Sequence, residues 1–332
     1  MKRKLISLFI LFLATAAFAQ SSEKIRVGLL NGPTCIPAAY LVENAGTKYS
    51  FETFADPQAL LPKMVKKEVD VGFMPLNVAA KVYNSGNKAI LCCAVTGLGN
   101  IKIITTDKSI RSFTDLKGKT VYTAGQGATP EYMLRYLLTE NKLTYSTDGK
   151  TADVKIDFSI PTAQIAAQMI SGKIGYAAVP EPFATIAKMK SETVVSPLDF
   201  QKEYKEVSGS QNIYPLSVMV VRKDFAEENA VQLAAFLSDY QAAYEWTIKN
   251  PAGAGRLSEK HTLGLAAGVV AKAVPVSNYT FIPAAQAVSG AEELLSIFLK
   301  NEPASIGGKL PEREFYYEPK KEAVNEPKKQ DE

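Results

Sequence analysis

Residues 118–131 read Gly118-Lys119-Thr120-Val121-Tyr122-Thr123-Ala124-Gly125-Gln126-Gly127-Ala128-Thr129-Pro130-Glu131. β-branched and aromatic residues over Thr120–Thr123 favour a strand, and the two glycines after it release the loop from steric limits. Pro130 fits the first turn of a helix, for which Thr129 is the predicted N-cap. Backbone N–H groups at such a helix start attract a carboxylate, sulfonate, phosphate or carbonyl oxygen. The stretch is therefore predicted to be either a ligand cradle or a tight strand-to-helix connection without a ligand.

The same strand-to-helix construction recurs along the chain. Apolar strand patterns end in polar, proline-marked loops before helical patterns, with strands at 24–31, 69–74, 154–160 and 175–179 and helices at 36–44, 78–83 and 163–169. This alternation predicts an α/β fold with open sheets of the parallel type. Because ligands of such sheets lie beyond the carboxyl ends of the strands, these loops are expected to surround one or two clefts.

The N-terminus has the pattern of a secretory signal. Lys2, Arg3 and Lys4 precede an apolar run over 5–17, and Ala17-Phe18-Ala19 is a small-x-small cleavage site. The apolar run is shorter than the ~20 residues that span a bilayer. The sequence therefore predicts a signal peptide over 1–19, cleaved after Ala19, and a periplasmic protein. It is not expected to be a lipoprotein, because no cysteine precedes Cys35.

Charge and composition argue against several classes of function. Removing the three basic residues of the signal leaves 35 basic against 34 acidic residues, interspersed along most of the chain, so nucleic-acid binding is not expected. The three cysteines are Cys35 and the adjacent pair Cys92 and Cys93, for which buried free thiols are predicted. The lone His261 has no companion ligands at characteristic spacing, so neither a metal nor another cofactor is predicted.

The length of the chain predicts two lobes. About 300 residues remain after the signal, more than the usual ~100–200 of one domain. The first lobe is predicted over 23–105, the second over 106–216, and a return to the first over 217–317. The returning segment has helical patterns at 226–250, 263–273 and 283–301 that are expected to pack on the first lobe, and 318–332 is predicted to be disordered. A paired crossing makes a cleft with a two-strand hinge, which closes around a ligand.

Several segments carry a resemblance to a known family. They are Asp115-Leu116-Lys117-Gly118-Lys119-Thr120, Gly125-Gln126-Gly127-Ala128-Thr129-Pro130-Glu131-Tyr132, Ala177-Ala178-Val179-Pro180-Glu181-Pro182-Phe183, Val220-Val221-Arg222-Lys223-Asp224-Phe225 and Ser305-Ile306-Gly307-Gly308-Lys309-Leu310-Pro311. Over roughly 24–317 the chain resembles the solute-binding proteins of ABC importers, specifically the nitrate, sulfonate and taurine or thiamine-precursor type, with the two-lobed type II periplasmic-binding fold. The resemblance implies capture of a small polar or anionic solute and its delivery to a permease driven by an ATPase. The expected partners are the solute, the ATPase and the permease, the last contacted directly by a monomer.

The resemblance also implies the ligand contacts, all of which fall on loops after strands. In the first lobe they are Asn31, Gly32, Thr34, Pro75, Leu76, Asn77 and Thr96, and in the second lobe Gln126, Gly127, Ala128, Thr129 and Glu181. Thr34 and Thr129 are alternatively mere helix caps. Glu181 favours a cationic or hydrogen-donating ligand group, or else forms an ion pair with a neighbouring lysine. Candidate stacking walls are Tyr40, Tyr122, Phe183 and Tyr214.

Two other classes of function remain as alternatives. One is an exported enzyme on the same fold, for which the sequence offers no Gly-x-Ser-x-Gly elbow, no phosphate loop and only one histidine. The other is a ligand-sensing protein. The solute itself stays open: helix N-termini favour a sulfonate, a nitrate-like anion or a carboxylate, whereas Glu181 and the aromatic residues favour a donor-bearing heterocycle of the pyrimidine type.

Overall fold

The computed structural model describes residues 24–123 and 125–319. The signal peptide predicted over 1–19 and residues 320–332 of the predicted disordered tail lie outside the described residues. Within the described part, no helix combines the length and the apolar character that crossing a membrane requires.

The first lobe is built from a six-stranded sheet and the helices around it. Its elements up to the crossing are β1 (Ile25–Leu30), α1 (Cys35–Asn44), β2 (Tyr49–Phe54), α2 (Pro57–Val65), β3 (Val71–Pro75), α3 (Leu76–Ser85) and β4 (Ile90–Leu98). After the return they are β11 (Pro215–Arg222), α8 (Lys223–Glu228), α9 (Ala230–Lys249), α10 (Pro251–Lys260), α11 (Ala267–Ala273), β12 (Tyr279–Pro283) and α12 (Ala284–Asn301).

The second lobe has a six-stranded sheet of its own. Its elements are β5 (Ile101–Thr105), β6 (Thr120–Thr123), α4 (Thr129–Glu140), β7 (Tyr145–Ser146), β8 (Val154–Asp157), α5 (Thr162–Ile170), β9 (Tyr176–Pro180), α6 (Phe183–Lys190), β10 (Val195–Asp199) and α7 (Phe200–Ser208). The strand β6, its glycine loop and the helix α4 confirm the strand-to-helix prediction for this stretch.

Both sheets are mixed. The first has the order β12-β4-β11-β3-β1-β2, in which β1 is parallel to β2 and β3 while β11 and β12 run antiparallel to their neighbours. The second has the order β10-β5-β9-β6-β8-β7, in which only β5 and β10 are antiparallel to their neighbours. The predicted parallel arrangement is therefore correct for the βα units, and β5, β10, β11 and β12 break it.

The crossings between the lobes lie side by side. The sequence predicted that the chain leaves the first lobe after Thr105. Strand β5 belongs to the second sheet, however, so the crossing lies at Gly99 and Asn100. Because only these two residues separate β4 from β5 and both strands are apolar, the sequence pattern suggested that both strands belong to the first lobe. The Gly99 N–H donates a 2.8 Å hydrogen bond to the Tyr214 carbonyl oxygen on the returning segment. The hinge therefore consists of two paired connections.

The core covers both faces of β4. Cys92 and Cys93 point to opposite faces of this strand, and both are buried. All three cysteines are free thiols, and burial raises the pKa of the Cys35 and Cys92 thiols to about 12. This arrangement matches the prediction of buried free thiols.

The C-terminal helices depart from the predicted boundaries. The helix predicted over 226–250 is interrupted at Asn229, and Pro251 begins α10 at once, because proline is well tolerated in the first turn of a helix. The helix predicted over 263–273 begins only at Ala267, and β12 was not predicted. Helices α9 and α10 pack against α1, and α12 packs against β4, so the predicted packing on the first lobe is confirmed.

Candidate functional site

A cavity of about 270 Å³ lies between the two lobes. Loops at the carboxyl ends of strands from both sheets form most of its wall, as expected for an α/β fold. The first lobe contributes, among others, Leu30, Pro33, Asp56, Met74, Val78, Tyr240 and Tyr279, and the second contributes Gly125, Pro130, Thr162, Pro180 and Phe183. A Cβ at Gly32 in the first lobe would lie 3.6 Å from the Phe183 ring of the second, so the lobes approach closely beside the cavity.

The structure brings most of the residues predicted for the site to this cavity. Those that line it are Asn31, Thr34, Pro75, Thr96, Gln126, Ala128 and Glu181. The lining does not include Gly32, Leu76, Asn77, Gly127 or Thr129.

The glycine loop is tied to its own helix. Gly125 and Gly127 have φ angles of 80° and 77°, a conformation that favours glycine. The Glu131 carboxylate accepts a 2.5 Å hydrogen bond from the Gly127 N–H and also pairs with Arg135 in the next turn. The Glu131 carboxylate therefore occupies the start of α4, where the sequence predicted either a ligand anion or no ligand.

Thr129 does not cap α4, contrary to the prediction. Ala128 occupies the N-cap position, and Thr129 is the first residue of the helix. Its hydroxyl donates a 3.0 Å hydrogen bond to the Asn77 side-chain oxygen, and the Asn77 amide nitrogen donates to the Gly127 carbonyl oxygen at 3.0 Å. Asn77 and Thr129 thus join the lobes directly, because α3 belongs to the first lobe and α4 to the second.

Thr34 stabilises the loop after β1. Its hydroxyl accepts a hydrogen bond from the Leu30 N–H and donates one to the Leu30 carbonyl oxygen, both at 2.8 Å. Thr34 occupies the N-cap position of α1 without making a side-chain cap hydrogen bond. The alternative of a helix cap is therefore wrong for this side chain.

Glu181 is completely buried and lines the cavity. Its Oε2 accepts a 2.9 Å hydrogen bond from the Thr185 N–H at the start of α6. Its Oε1 has no hydrogen-bond partner, and no lysine or arginine of the described residues pairs with it. The predicted alternative of an ion pair with a neighbouring lysine is wrong, because the side chain turns inward between Pro180 and Pro182 instead of reaching the surface.

Sequence reasoning missed several polar residues of the cavity wall, and three of them have an unpaired polar atom. The Asn100 side-chain oxygen and the Tyr240 and Tyr279 hydroxyls are buried and without hydrogen-bond partners within the described chain. Burial raises the pKa of both phenols; at Tyr279 the Ser277 side chain opposes this rise and the nearby Glu181 carboxylate adds to it. Tyr240 lies in the middle of α9 and Tyr279 on the unpredicted β12, so no local pattern indicates either of them. The position of Asn100 directly after β4 was the available signal.

The aromatic candidates are distributed differently from the prediction. Of the four, only Phe183 lines the cavity. Tyr40 stacks on Trp246 with ring centroids 4.5 Å apart, and Tyr214 packs against Tyr204 in the core.

The charges around the cavity are negative. Asp56 and Glu181 are the acidic residues of the lining, and among the described residues no lysine, arginine or histidine contributes to it. No group of three or more histidine, cysteine, aspartate and glutamate side chains in 24–123 and 125–319 is placed to hold a metal ion. His261 lies away from the cavity, with its Nε2 2.6 Å from the Glu43 carboxylate.

The fold has many solved relatives. An ABC transporter protein from Parabacteroides distasonis is 22% identical, with a TM-score of 0.74 over 89% of this chain and 99% of that one. The periplasmic aliphatic sulphonate-binding protein of Escherichia coli is 18% identical, with a TM-score of 0.64 over 93% and 98% of the two chains. The periplasmic nitrate-binding protein of Synechocystis PCC 6803 is 12% identical, with a TM-score of 0.66 over 85% and 84%. At these identities the likeness establishes the two-lobed fold.

The family follows from the sequence of the chain. None of the curated proteins compared with the chain matches it. The model of the family described as "ABC transporter, phosphonate, periplasmic substrate-binding protein" matches residues 37–275, which is more than two thirds of the chain. The chain belongs to this family of periplasmic substrate-binding proteins of ABC transporters.

Proposed function

We propose that the interlobe cavity is the solute site of this substrate-binding protein and that the lobes close around one small solute before its delivery. The observation that carries the proposal is the cavity itself, which both lobes enclose and whose wall has buried polar atoms without partners. Ligand sites are typically concave, largely apolar and provided with a few polar groups that orient the ligand. A volume of about 270 Å³ suits a small metabolite.

We also propose the path by which the solute reaches the permease. The mature protein starts after Ala19, acts outside the cytoplasm as a monomer without a lipid anchor, and presents the closed form directly to a permease. Hydrogen bonds between the lobes support a closed form, since Asn77 and Thr129 join α3 to α4 and Tyr204 donates to Glu293 on α12 at 2.7 Å. A ligand-sensing role would use the same cavity and closure.

We further propose that the protein binds its solute without converting it. The cavity lining within the described chain has no histidine, lysine or cysteine to serve as a base or an activated nucleophile, and its two carboxylates, Asp56 and Glu181, accept backbone N–H groups at helix starts. Release of the solute unchanged after denaturation is therefore expected, and a converted product would favour the exported enzyme.

A thermal-shift panel with a matched pair of variants tests the site. Val78 is half-buried on α3 and lines the cavity, whereas Val231 on α9 is 66% exposed. Val78→Phe fills the cavity and Val231→Phe makes the same change at the surface. The panel holds methylphosphonate, ethanesulfonate, nitrate, acetate, butylamine, benzylamine and 4-aminopyrimidine.

The expected result is a saturating shift of several degrees with one chemical class, equal in the wild type and Val231→Phe and absent in Val78→Phe. A solute at 100 times its Kd stabilises the folded protein by about 2.7 kcal/mol. An undiminished shift in Val78→Phe would place the site elsewhere.

A further inference from the structure

The cavity wall has two acidic side chains and, within the described part of the chain, no basic one. Glu181 is fully buried at the wall and Asp56 lies exposed at the rim, and no cationic side chain among the described residues faces them. An anion in this cavity would be repelled by the buried Glu181 carboxylate in a medium of low dielectric constant, and more weakly by Asp56, which solvent screens.

Three of the helix starts at the cavity already have a carboxylate. Asp56 accepts a hydrogen bond from the Ala59 N–H of α2, Glu131 accepts one from the Gly127 N–H before α4, and Glu181 accepts one from the Thr185 N–H of α6. Anions bind at helix N-termini through these N–H groups and the positive end of the helix dipole. At these three helices the chain supplies the anion itself.

The backbone around the cavity is also poor in donors. Proline has no backbone N–H to donate. Six prolines belong to the lining, namely Pro33, Pro37, Pro57, Pro75, Pro130 and Pro180. These positions offer a ligand apolar contact and carbonyl oxygens only.

Unpaired acceptors remain at the wall. Glu181 uses Oε2 for Thr185, so its Oε1 is free to accept, and Asn100 donates its amide to the Ser277 carbonyl oxygen at 2.7 Å, which leaves its Oδ1 free. The Tyr240 and Tyr279 hydroxyls, unpaired as well, donate or accept. A buried carboxylate oxygen without a partner is unfavourable, and a ligand donor relieves this cost.

We propose, on the basis of the proposed function of the cavity, that its solute presents a protonated amine, an amidine or an amino-substituted ring to Glu181 Oε1, and that the cavity rejects simple anions. Asn100 Oδ1 accepts a second N–H of the same group. The hydroxyls of Tyr240 and Tyr279 orient the rest of the solute.

The first test is independent of the ligand. Glu181→Gln removes the unpaired negative charge and keeps a side-chain oxygen for the Thr185 N–H, so the ligand-free variant is expected to melt several degrees above the wild type. Glu192→Gln changes the net charge equally at an exposed position outside the lining and is expected to leave the melting temperature unchanged. A melting temperature of Glu181→Gln at or below that of the wild type would assign Glu181 the role of a helix cap alone and overturn the proposal.

The second test compares head groups on constant skeletons by calorimetry. One series is butylamine, pentanoate, butanesulfonate and butylphosphonate, and the other is benzylamine, phenylacetate, phenylmethanesulfonate and benzylphosphonate. At least one amine is expected to bind at least tenfold more tightly than its anionic counterparts, to lose at least tenfold in Glu181→Gln and to bind normally to Glu192→Gln.

Two kinds of result would overturn the inference. Tighter binding of a phosphonate, sulfonate or carboxylate, or amine binding unchanged by Glu181→Gln, refutes the ligand class while leaving the cavity as the solute site. If the anions of the wider panel bind and both amines fail, the ligand class is refuted in the same way. Failure of every compound in both series and in the panel refutes the proposed function itself.

Discussion

The Thr129 hydroxyl donates a 3.0 Å hydrogen bond to the Asn77 side-chain oxygen, and both residues are fully buried between the two lobes. The Asn77 amide nitrogen also donates to the carbonyl oxygens of Gly127 and Ser305, at 3.0 and 3.2 Å. One asparagine thus joins the glycine loop and the first turn of α4 to the first lobe. Asn77, Gly127 and Thr129, for which the resemblance implied ligand contacts, therefore use these hydrogen-bonding groups to join the two lobes.

Replacing Thr129 by valine tests this contact between the lobes. Thr129→Val keeps the shape of the side chain but leaves the Asn77 oxygen buried without a donor, at a cost of about 1–3 kcal/mol. Because opening exposes that oxygen to water, the cost is expected to shift the ligand-free protein toward the open form and to increase its radius of gyration in solution scattering. Thr139→Val is the matched control, since this hydroxyl bonds only to the Arg135 carbonyl oxygen of its own helix. An equal radius for both variants would contradict this role.

A second contact between the lobes is an ion pair. Arg135 on α4 pairs with Glu131 on the same helix and with Glu302 next to α12, at 2.5 Å for the latter. Arg135 and Glu302, which pair across the boundary between the lobes, are both partly exposed. Their ion pair therefore stabilises the closed form by about 1 kcal/mol or less, and salt weakens it. Glu302→Gln is expected to open the protein less than Thr129→Val and to reduce the increase in radius of gyration that salt causes in the wild type.

The control for this variant is an ion pair within one lobe. Glu312 pairs with Lys88 at 2.5 Å, and both lie on the first lobe. Glu312→Gln is expected to keep the salt response of the wild type. Loss of the response in this variant as well would show that salt acts on the lobes by another route.

Acid is expected to destabilise the second lobe. Hydrogen bonds from neighbouring hydroxyl, backbone and lysine groups lower the pKa of Asp107, Asp148 and Asp153, each to about 2. Each carboxyl therefore takes up its proton at lower pH in the folded than in the unfolded protein, whose pKa is about 3.9. Their stabilisation is complete above about pH 4 and is lost as the pH falls toward 2.

Asp153→Asn measures one of these contributions. Asp153 Oδ2 accepts hydrogen bonds from the Thr144 N–H and hydroxyl. The melting temperature of the variant is expected to lie below that of the wild type at neutral pH, and the difference is expected to shrink as the pH falls from about 4 to about 2. A difference that stays constant over this range would contradict the lowered pKa.

Two glycines in the C-terminal helices predict opposite responses to alanine. A Cβ at Gly255 on α10 would lie 2.3 Å from the Ala267 carbonyl oxygen, whereas a Cβ at Gly268 on α11 would meet no atom within 4 Å. Gly255→Ala is expected to destabilise the protein by about 1–3 kcal/mol through overpacking. Gly268→Ala is expected to stabilise it by up to about 1 kcal/mol through helix propensity. Denaturant unfolding checks both, and a stable Gly255→Ala would show that the two helices move apart easily.

Much of the fold follows from local patterns. The turn, β6, the glycine loop and α4 are indicated by residues 118–131 alone, because strand propensity, glycine and a first-turn proline agree there. The crossing between the lobes was misplaced because β4 and β5 are both apolar and only Gly99 and Asn100 separate them. Helix α10 was missed because proline both ends one helix and begins another, and the choice depends on packing against α1.

The site was harder to predict than the fold. Glu181 was found because two prolines frame it at the end of a strand, a local signal. Tyr240 was not, because a tyrosine in the middle of a long helix faces either the core or the cavity according to how that helix packs. Thr129 was assigned to a cap because a hydroxyl before proline commonly caps a helix, whereas its partner Asn77 lies on the other lobe and is not visible in the local sequence.

The most direct test of the proposed site is a crystal structure of the protein with the panel compound that gives the largest saturating thermal shift. The proposed function predicts one molecule in the interlobe cavity, in contact with both lobes, and the further inference places an N–H group within hydrogen-bonding distance of Glu181 Oε1. A molecule bound outside the cavity, or held by one lobe alone, would contradict the proposed site.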